Sequence, residues 1–415
     1  MEQPDADDGK RQHSRFLILY AAAFAGGTVA YYPFLSVILP VQATVMAGSG
    51  AAALPLLAYI AFAGALTASL ANIAFGWVSD VAGMRRPLIA GGMLASSALL
   101  AAMPMATSPV VLIGLIVAWQ ICLNAMLAPL AAWAGDCVPD AQKGLLGGLL
   151  AFAPATGALA GAVVTFTPWV PSGDRHWVVA LLVIALVSPA LVFARPRAMP
   201  HLNQRVDAPA ARMSAAIAVS RPIWMLWLAR LLVQIAEASL FAFLLLWFRS
   251  IAPGFAAHRT ATIFMMVLCS AVGVALLVGR WSDRARRPML PLALCAGVTM
   301  VGLLVMASAT TLPVAMAGYA VFGLGSSVFL SLHSAQTLRV LPRPHRRARD
   351  LGLFNLTNTV PSLLMPWLTL ALVPVYGFDA LFAVLAVLVG SAAIMIAGLI
   401  RYQDQARSRQ AGRRA

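Results

Sequence analysis

Two charged side chains lie deep inside one apolar stretch of this 415-residue chain. Arg230 and Glu237 are the only charged residues within residues 222–248. A charge at the centre of a bilayer costs about 2.5–3.5 kcal/mol on insertion scales, so its presence there indicates a function. Seven residues are close to two α-helical turns, which places Arg230, Gln234 and Glu237 on one side of a helix. This stripe is the first candidate site.

The residue types in the stripe suit the handling of a polar solute. The planar guanidinium of Arg230 matches carboxylate groups or sugar hydroxyls. Burial disfavours the charged form of a carboxyl group and a neighbouring cation favours it, so Glu237 can load and release a proton. We predict that Arg230 and Gln234 bind substrate and that Glu237 couples transport to protons. Three alternatives remain: a static ion pair between Arg230 and Glu237, a neutral Glu237 held by hydrogen bonds, and an Arg230 side chain that extends back to the membrane surface.

Three further polar side chains inside apolar stretches are predicted to bind substrate. Gln120 and Asn124 are i, i+4 neighbours, and amides at such depth either join helices or line a cavity. Tyr32 precedes Pro33, whose missing amide N–H is expected to break the helix near the depth of the binding site. Its ring offers a stacking surface, although a tyrosine at the membrane interface would need no such role.

Long apolar stretches must position these residues. The chain is 61% hydrophobic and only 10% charged, whereas soluble domains carry about 25% charged residues. Twelve stretches of 18 to 27 residues can each cross a hydrocarbon core of roughly 30 Å. We number these predicted spans 1 to 12: 16–41, 52–78, 86–105, 109–133, 144–167, 177–194, 222–248, 260–280, 288–308, 313–338, 351–373 and 378–400.

The basic residues are distributed by membrane side. Of the 29 lysines and arginines, 25 fall on the side that holds the N-terminus and three on the other. The positive-inside rule then predicts cytoplasmic termini for a multi-pass protein of the cytoplasmic (inner) membrane. The net charge of +15 is therefore assigned to topology and to anionic lipid on the cytoplasmic side rather than to nucleic acid. The four cysteines show no metal-ligand spacing, and we expect no cofactor.

An internal repeat divides the chain into two halves. Asp80 and Asp283 follow similar glycine- and tryptophan-containing segments and lie 203 residues apart, and Pro139 and Pro342 have the same separation. The predicted organisation is an N-terminal tail (1–15), a six-helix bundle (16–194), a linker (195–221), a second six-helix bundle (222–400) and a basic tail (401–415). We thus predict an all-α membrane protein of twelve transmembrane helices in two pseudo-symmetric bundles.

The loop motifs resemble those of the major facilitator superfamily. Its loop between helices two and three reads G-x-x-x-D-R-x-G-R-R, whereas this chain has Val81 in place of the first arginine. The resemblance implies that the motif residues of both halves bias the switch between inward-facing and outward-facing states. These residues are Gly76, Asp80, Gly83, Arg85, Arg86, Asp283, Arg284 and Asp350. Loop segments 136–148 and 349–361 are similar to those of the branch that contains the sugar and glycoside symporters.

The resemblance implies secondary active transport by alternating access. We expect a monomer that moves a small organic solute, either sugar-like or an organic anion or metabolite, by symport or antiport with the proton gradient as driving force. Export of drugs or metabolites by the same fold is one alternative, and a non-transporting receptor or scaffold is another. An enzyme is disfavoured because the chain lacks HExxH and GxSxG motifs and paired acids in its loops.

Overall fold

The computed structural model describes residues 11–150, 152–166, 168–197, 221–285, 289–340 and 347–412, which form helices and short connections without a β-strand. Eleven helical stretches in this part of the chain are long and apolar enough to cross a membrane. The last of them, Thr359–Arg401, has 43 residues, about twice the length a bilayer requires. The helix that contains it leaves helical geometry at Gly377, with φ 78° and ψ 177°, a region that glycine enters without steric cost. Gly377 therefore separates spans 11 and 12, which confirms the prediction of twelve spans.

The first six spans form where the sequence is continuously apolar. Ser108 fixes the start of span 4, because its hydroxyl accepts the N–H of Val111 at 3.3 Å and Pro109 occupies the first helical position. Span 1 comprises Ser14–Pro33, a π-helical turn Phe34–Ile38 and Leu39–Ala47; spans 2 to 4 are Gly50–Ala82, Arg85–Ala102 and Pro109–Cys137; span 5 comprises Asp140–Leu150 and Ala153–Thr165; span 6 is Arg175–Phe193.

The second six spans repeat this pattern of long apolar helices and short connections. Spans 7 to 10 are Arg221–Ile251, Ala257–Ala285, Leu290–Ala307 and Leu312–Val340, and spans 11 and 12 share the helix Arg347–Gly412. The helices extend beyond most predicted spans, because hydropathy marks the hydrocarbon core whereas the hydrogen-bonded backbone continues past it.

Glycines show the duplication at the level of packing. A Cβ atom added to Gly92 on span 3 would lie 2.4 Å from the backbone nitrogen of Met126 on span 4. In the second half, a Cβ on Gly302 of span 9 would lie 2.3 Å from the backbone nitrogen of Phe322 on span 10. The third and fourth spans of each half thus pack backbone against backbone, an arrangement that only the smallest residues permit.

Contacts divide the chain into two compact units. One comprises Met1–Leu39 and Ala63–Ile217, and the other comprises Pro40–Phe62 and Ala218–Ala415. Within the second unit, Trp367 packs against two aromatic rings, with centroid separations of 6.4 Å to Tyr59 and 5.2 Å to Phe62. The bundle boundaries at residues 194 and 222 stay a prediction.

Candidate functional site

The seventh span carries the predicted stripe on one uninterrupted helix, Arg221–Ile251. At 1.5 Å per residue, Arg230 and Glu237 are separated by roughly 10 Å along the helix axis. Their side chains and that of Gln234 are all partly buried. Because no proline or glycine interrupts the helix between Arg230 and Glu237, their position on one face follows directly from helical geometry.

Glu237 is bonded to span 10. The hydroxyl of Ser326, which is fully buried, donates a hydrogen bond to Oε1 of Glu237. The same hydroxyl lies 3.3 Å from the carbonyl oxygen of Gly323 on its own helix. Ser326 therefore has two acceptors within reach, one of which is the acid.

Arg230 reaches spans 10 and 11. Its Nε donates to the hydroxyl of Thr357 at 3.1 Å, and its Nη1 donates to the carbonyl of Leu330 at 3.5 Å. Thr357 is fully buried, so this contact lies inside the helical bundle of the second unit. Close by, Nε2 of the buried His333 lies 2.9 Å from the carbonyl oxygen of Leu226. The guanidinium, a hydroxyl and an imidazole thus join spans 7, 10 and 11.

Arg230 and Glu237 have different partners. The hydrogen bond to the Glu237 carboxyl group comes from Ser326, so the alternative of a static pair with Arg230 does not describe this structure. Between them, Oε1 of Gln234 is buried and has no hydrogen-bond partner among the described residues. A guanidinium, an amide carbonyl and a carboxyl group therefore follow one another along one helix face.

Gln120 and Asn124 are both buried on span 4. The amide nitrogen of Asn124 donates to the carbonyl of Gln120 at 2.8 Å, and its Oδ1 accepts from Nδ2 of Asn72 on span 2 at 3.2 Å. These amides join two helices, which was one of the two alternatives from the sequence. Asn72 was overlooked, although an asparagine inside a predicted span is itself a signal. Substrate binding by Gln120 and Asn124 stays a prediction.

Tyr32 lies on span 1 against a glycine of span 5. A Cβ added to Gly157 would lie 2.9 Å from Cβ of Tyr32, so the missing side chain makes room for the tyrosine. Pro33 does not break the helix as expected. The chain continues as the π-helical turn Phe34–Ile38, in which the N–H of Leu39 bonds to the carbonyl of Phe34. Such turns often occur at functional sites.

A charged cluster occupies the connection between spans 2 and 3. Arg85 pairs with Asp80 at 2.5 Å and with Asp136 at 2.9 Å, and its Nη1 donates to the hydroxyl of Ser79. Gly83 has a φ of 63°, a left-handed conformation that explains a glycine at this motif position. All these contacts lie within the first unit.

The other predicted switch residues have separate surroundings. Arg86 donates to the carbonyl of Ala194 and lies over the ring of Trp133, 5.2 Å from its centroid. Gly76 has open space around its Cα, and Arg284 is exposed. The side chains of Asp283 and Asp350 lie outside the described residues. Asp136 was noted only as part of a loop motif, and its pairing with Arg85 was not predicted.

The described residues contain no cluster of three or more His, Cys, Asp or Glu side chains that could hold a metal ion. The polar groups that the structure assembles are instead hydrogen-bond donors and acceptors inside helical bundles. Such groups bind solutes, hold protons and join helices.

Known membrane proteins are similar to this chain over nearly its full length. The model of the Major Facilitator Superfamily matches residues 16–343 and 276–415. A crystal structure of a variant of the nucleoside transporter NupG is 12% identical with a TM-score of 0.70, and the match covers 92% of this chain and 99% of that one.

Two inward-facing crystal structures of a bacterial homologue of the human lysosomal transporter Spinster are also similar. The unoccupied form has a TM-score of 0.60 at 14% identity, covering 93% of each chain. The occupied form has a TM-score of 0.64 at 12% identity, covering 94% of this chain and 97% of that one. No protein in the curated set matches. At these identities the likeness concerns the fold.

Proposed function

Because the chain belongs to the major facilitator superfamily, we propose that it is a proton-coupled secondary transporter of a small, neutral polyhydroxylated or anionic solute. Arg230 and Gln234 bind the solute, and Glu237 carries the proton. The observation that supports this proposal is the Glu237–Ser326 hydrogen bond, which joins a partly buried acid on span 7 to span 10. The protein resides in the inner membrane with both termini in the cytoplasm.

Arg230 is suited to anchor the solute because its side chain is partly buried and its guanidinium is held by hydrogen bonds inside the bundle. Its bonds to Thr357 and Leu330 fix the plane of the guanidinium. A fixed guanidinium presents its donors in a fork that matches a carboxylate or a pair of hydroxyls. A cationic solute would be repelled by this group, which favours the neutral and anionic classes.

Gln234 provides the complementary acceptor. Its buried Oε1 lacks a hydrogen-bond partner among the described residues, and an unsatisfied buried carbonyl costs about 1–3 kcal/mol. A solute hydroxyl or N–H group that donates to this oxygen would recover that free energy. The solute would therefore donate a hydrogen bond to Gln234 and accept one from Arg230. Polyols and hydroxy acids carry such donors and acceptors within a few ångströms of each other.

Glu237 and Ser326 can hold a proton in either of two arrangements. When Glu237 is ionised, the Ser326 hydroxyl donates to Oε1. When Glu237 is protonated, that hydroxyl can turn to the carbonyl of Gly323, 3.3 Å away, and its oxygen can accept the new carboxyl proton. Neither arrangement leaves the serine donor unpaired, so protonation does not require a costly unsatisfied group.

Flux measurements in proteoliposomes test the proposal. A panel of sugars, nucleosides, organic acids and amphipathic drugs is presented with and without an imposed proton gradient. The nucleosides are included because NupG is described as a nucleoside transporter, and the drugs represent export by the same fold. Arg230→Ala is expected to lower transport kcat/KM by about 10- to 150-fold, the loss of one charged hydrogen bond.

Glu237→Gln separates binding from coupling. We expect this variant to lose accumulation driven by the gradient while it still exchanges solute across the bilayer without a gradient. Asp174→Asn is the matched control, because it also removes an acid but lies exposed in the connection before span 6. Unchanged gradient-driven uptake in Glu237→Gln would refute Glu237 as the proton carrier. An equal uptake by the unaltered protein with and without the gradient would refute proton coupling, and no flux of any tested solute would favour a receptor or scaffold.

A further inference from the structure

A cavity of about 580 Å³ opens at one membrane boundary of the first unit. It is lined by the residues that begin span 1 and those that end span 6: His13, Ser14, Arg15, Phe16, Val192, Phe193 and Arg195. All its lining residues belong to the first unit, and none of them is part of the proposed transport site. It lies on the side where the distribution of basic residues places the cytoplasm.

The described wall of the cavity is cationic. Arg15 and Arg195 are exposed, and the side chain of neither forms a hydrogen bond or ion pair with another described residue. The lining residues that the structure describes include no acidic side chain. Span 1 begins at Ser14, so the positive end of its helix dipole adds to the charge of the two arginines. This combination of charges favours an anion.

Neighbouring groups hold the wall in place. The side chain of Gln12 donates to the carbonyl of Cys137 at 2.9 Å and accepts the backbone N–H of Arg197 at 2.8 Å. Nε of Arg197 donates to the ring of His13 at 3.0 Å. The start of span 1 and the segment after span 6 are therefore tied together, and Arg15 and Arg195 face the gap between them without being needed for these contacts.

The outer edge of the cavity is apolar. Val192 and Phe193 are 63% and 55% exposed, and they occupy the last positions of span 6. Exposed apolar side chains at the end of a membrane span face lipid tails. A phospholipid would use both parts of the cavity, with its phosphate by the arginines and its acyl chains beside Val192 and Phe193, whereas a soluble anion would use the polar part alone.

We propose that this cavity is a binding site for an anionic phospholipid, with the headgroup phosphate held between Arg15 and Arg195. Each basic side chain near a membrane surface contributes about 1 kcal/mol to attraction for anionic lipid. Loss of both arginines should therefore weaken binding roughly 30-fold. The proposal concerns the first unit alone and does not depend on transport activity.

Thermal unfolding of the full chain in neutral detergent tests the site. Phosphatidylglycerol, phosphatidylcholine or inorganic phosphate is titrated, and bound lipid is counted by native mass spectrometry. Phosphatidylglycerol should raise Tm of the unaltered protein, because a ligand that binds the folded state stabilises it. The double variant with Arg15→Gln and Arg195→Gln should require roughly 30-fold more phosphatidylglycerol to reach half of the maximal Tm shift. Arg401→Gln, at an exposed arginine beyond span 12, should respond like the unaltered protein.

Three outcomes would overturn the proposal. The first is an equal response of the double variant and the unaltered protein to phosphatidylglycerol. The second is an equal Tm shift with phosphatidylcholine, which would mean that the charge is irrelevant. The third is a full shift with inorganic phosphate alone, which would mean a site for a free anion. A second variant with Arg15→Lys and Arg195→Lys controls for misfolding of the glutamine variant. It keeps both positive charges and should retain most of the lipid binding.

Discussion

Removal of the Ser326 hydroxyl tests the hydrogen bond between Ser326 and Glu237 most directly. The hydroxyl is fully buried and donates to Glu237, so Ser326→Ala leaves Oε1 of Glu237 without its donor. A hydrogen bond to a charged group contributes about 1.5–3 kcal/mol to stability and a neutral one about 0.5–1.5 kcal/mol. We expect Ser326→Ala to lower the free energy of unfolding by about 2 kcal/mol, and by about 1 kcal/mol in a Glu237→Gln background.

A double-mutant cycle measures the difference between these two costs. The unaltered protein, both single variants and the double variant are unfolded reversibly by SDS in mixed micelles, followed by tryptophan fluorescence. The expected coupling energy is about 1 kcal/mol, within the range of contacting residues. Ser331→Ala is the matched control, since its exposed hydroxyl on the same span donates to the carbonyl of Ser327 on its own helix. The assignment of this bond is wrong if Ser326→Ala lowers the free energy of unfolding by no more than Ser331→Ala does. It is also wrong if the effects of Ser326→Ala and Glu237→Gln are additive.

Two further predictions concern packing and the charged cluster. Gly302→Ala should lower thermal stability by about 1–3 kcal/mol or prevent membrane insertion, because its Cβ would meet the backbone of Phe322 at 2.3 Å. Gly297→Ala on the same span has open space and should express and unfold normally; similar losses in both would contradict the packing. Asp136→Asn should lower the free energy of unfolding by at most about 1 kcal/mol, because the ion pair of Asp136 with Arg85 is partly exposed. A loss above 2 kcal/mol in the same SDS assay would show that this estimate is wrong.

The local signals in the sequence located the membrane spans accurately. The predicted span 109–133 corresponds to the helix Pro109–Cys137, and the predicted span 177–194 corresponds to the helix Arg175–Phe193. Such runs are readable because the need to bury about 20 apolar residues and to satisfy the backbone within one helix acts on each segment separately. The stripe of Arg230 and Glu237 was found for the same reason, since their spacing along one helix is a local property.

The partners of that stripe could not be read from the sequence. Ser326 and Thr357 are ordinary hydroxyl residues in apolar segments, and nothing in their spacing selects them over other serines and threonines of the same helices. Which hydroxyl meets Glu237 depends on the rotation of span 10 about its axis. That rotation is decided by side-chain packing between helices, which hydropathy does not encode.

The amino-acid sequence by itself determined the number of spans, the duplication and the single helix face that carries a cation and an acid, because each follows from composition and periodicity along the chain. Tertiary structure alone decided that Glu237 is bonded by Ser326, that Arg230 reaches Thr357, and that Arg15 and Arg195 line one cavity. These pairings join residues that are 89, 127 and 180 positions apart. At such separations, contacts are set by how helices pack rather than by any local preference of the chain.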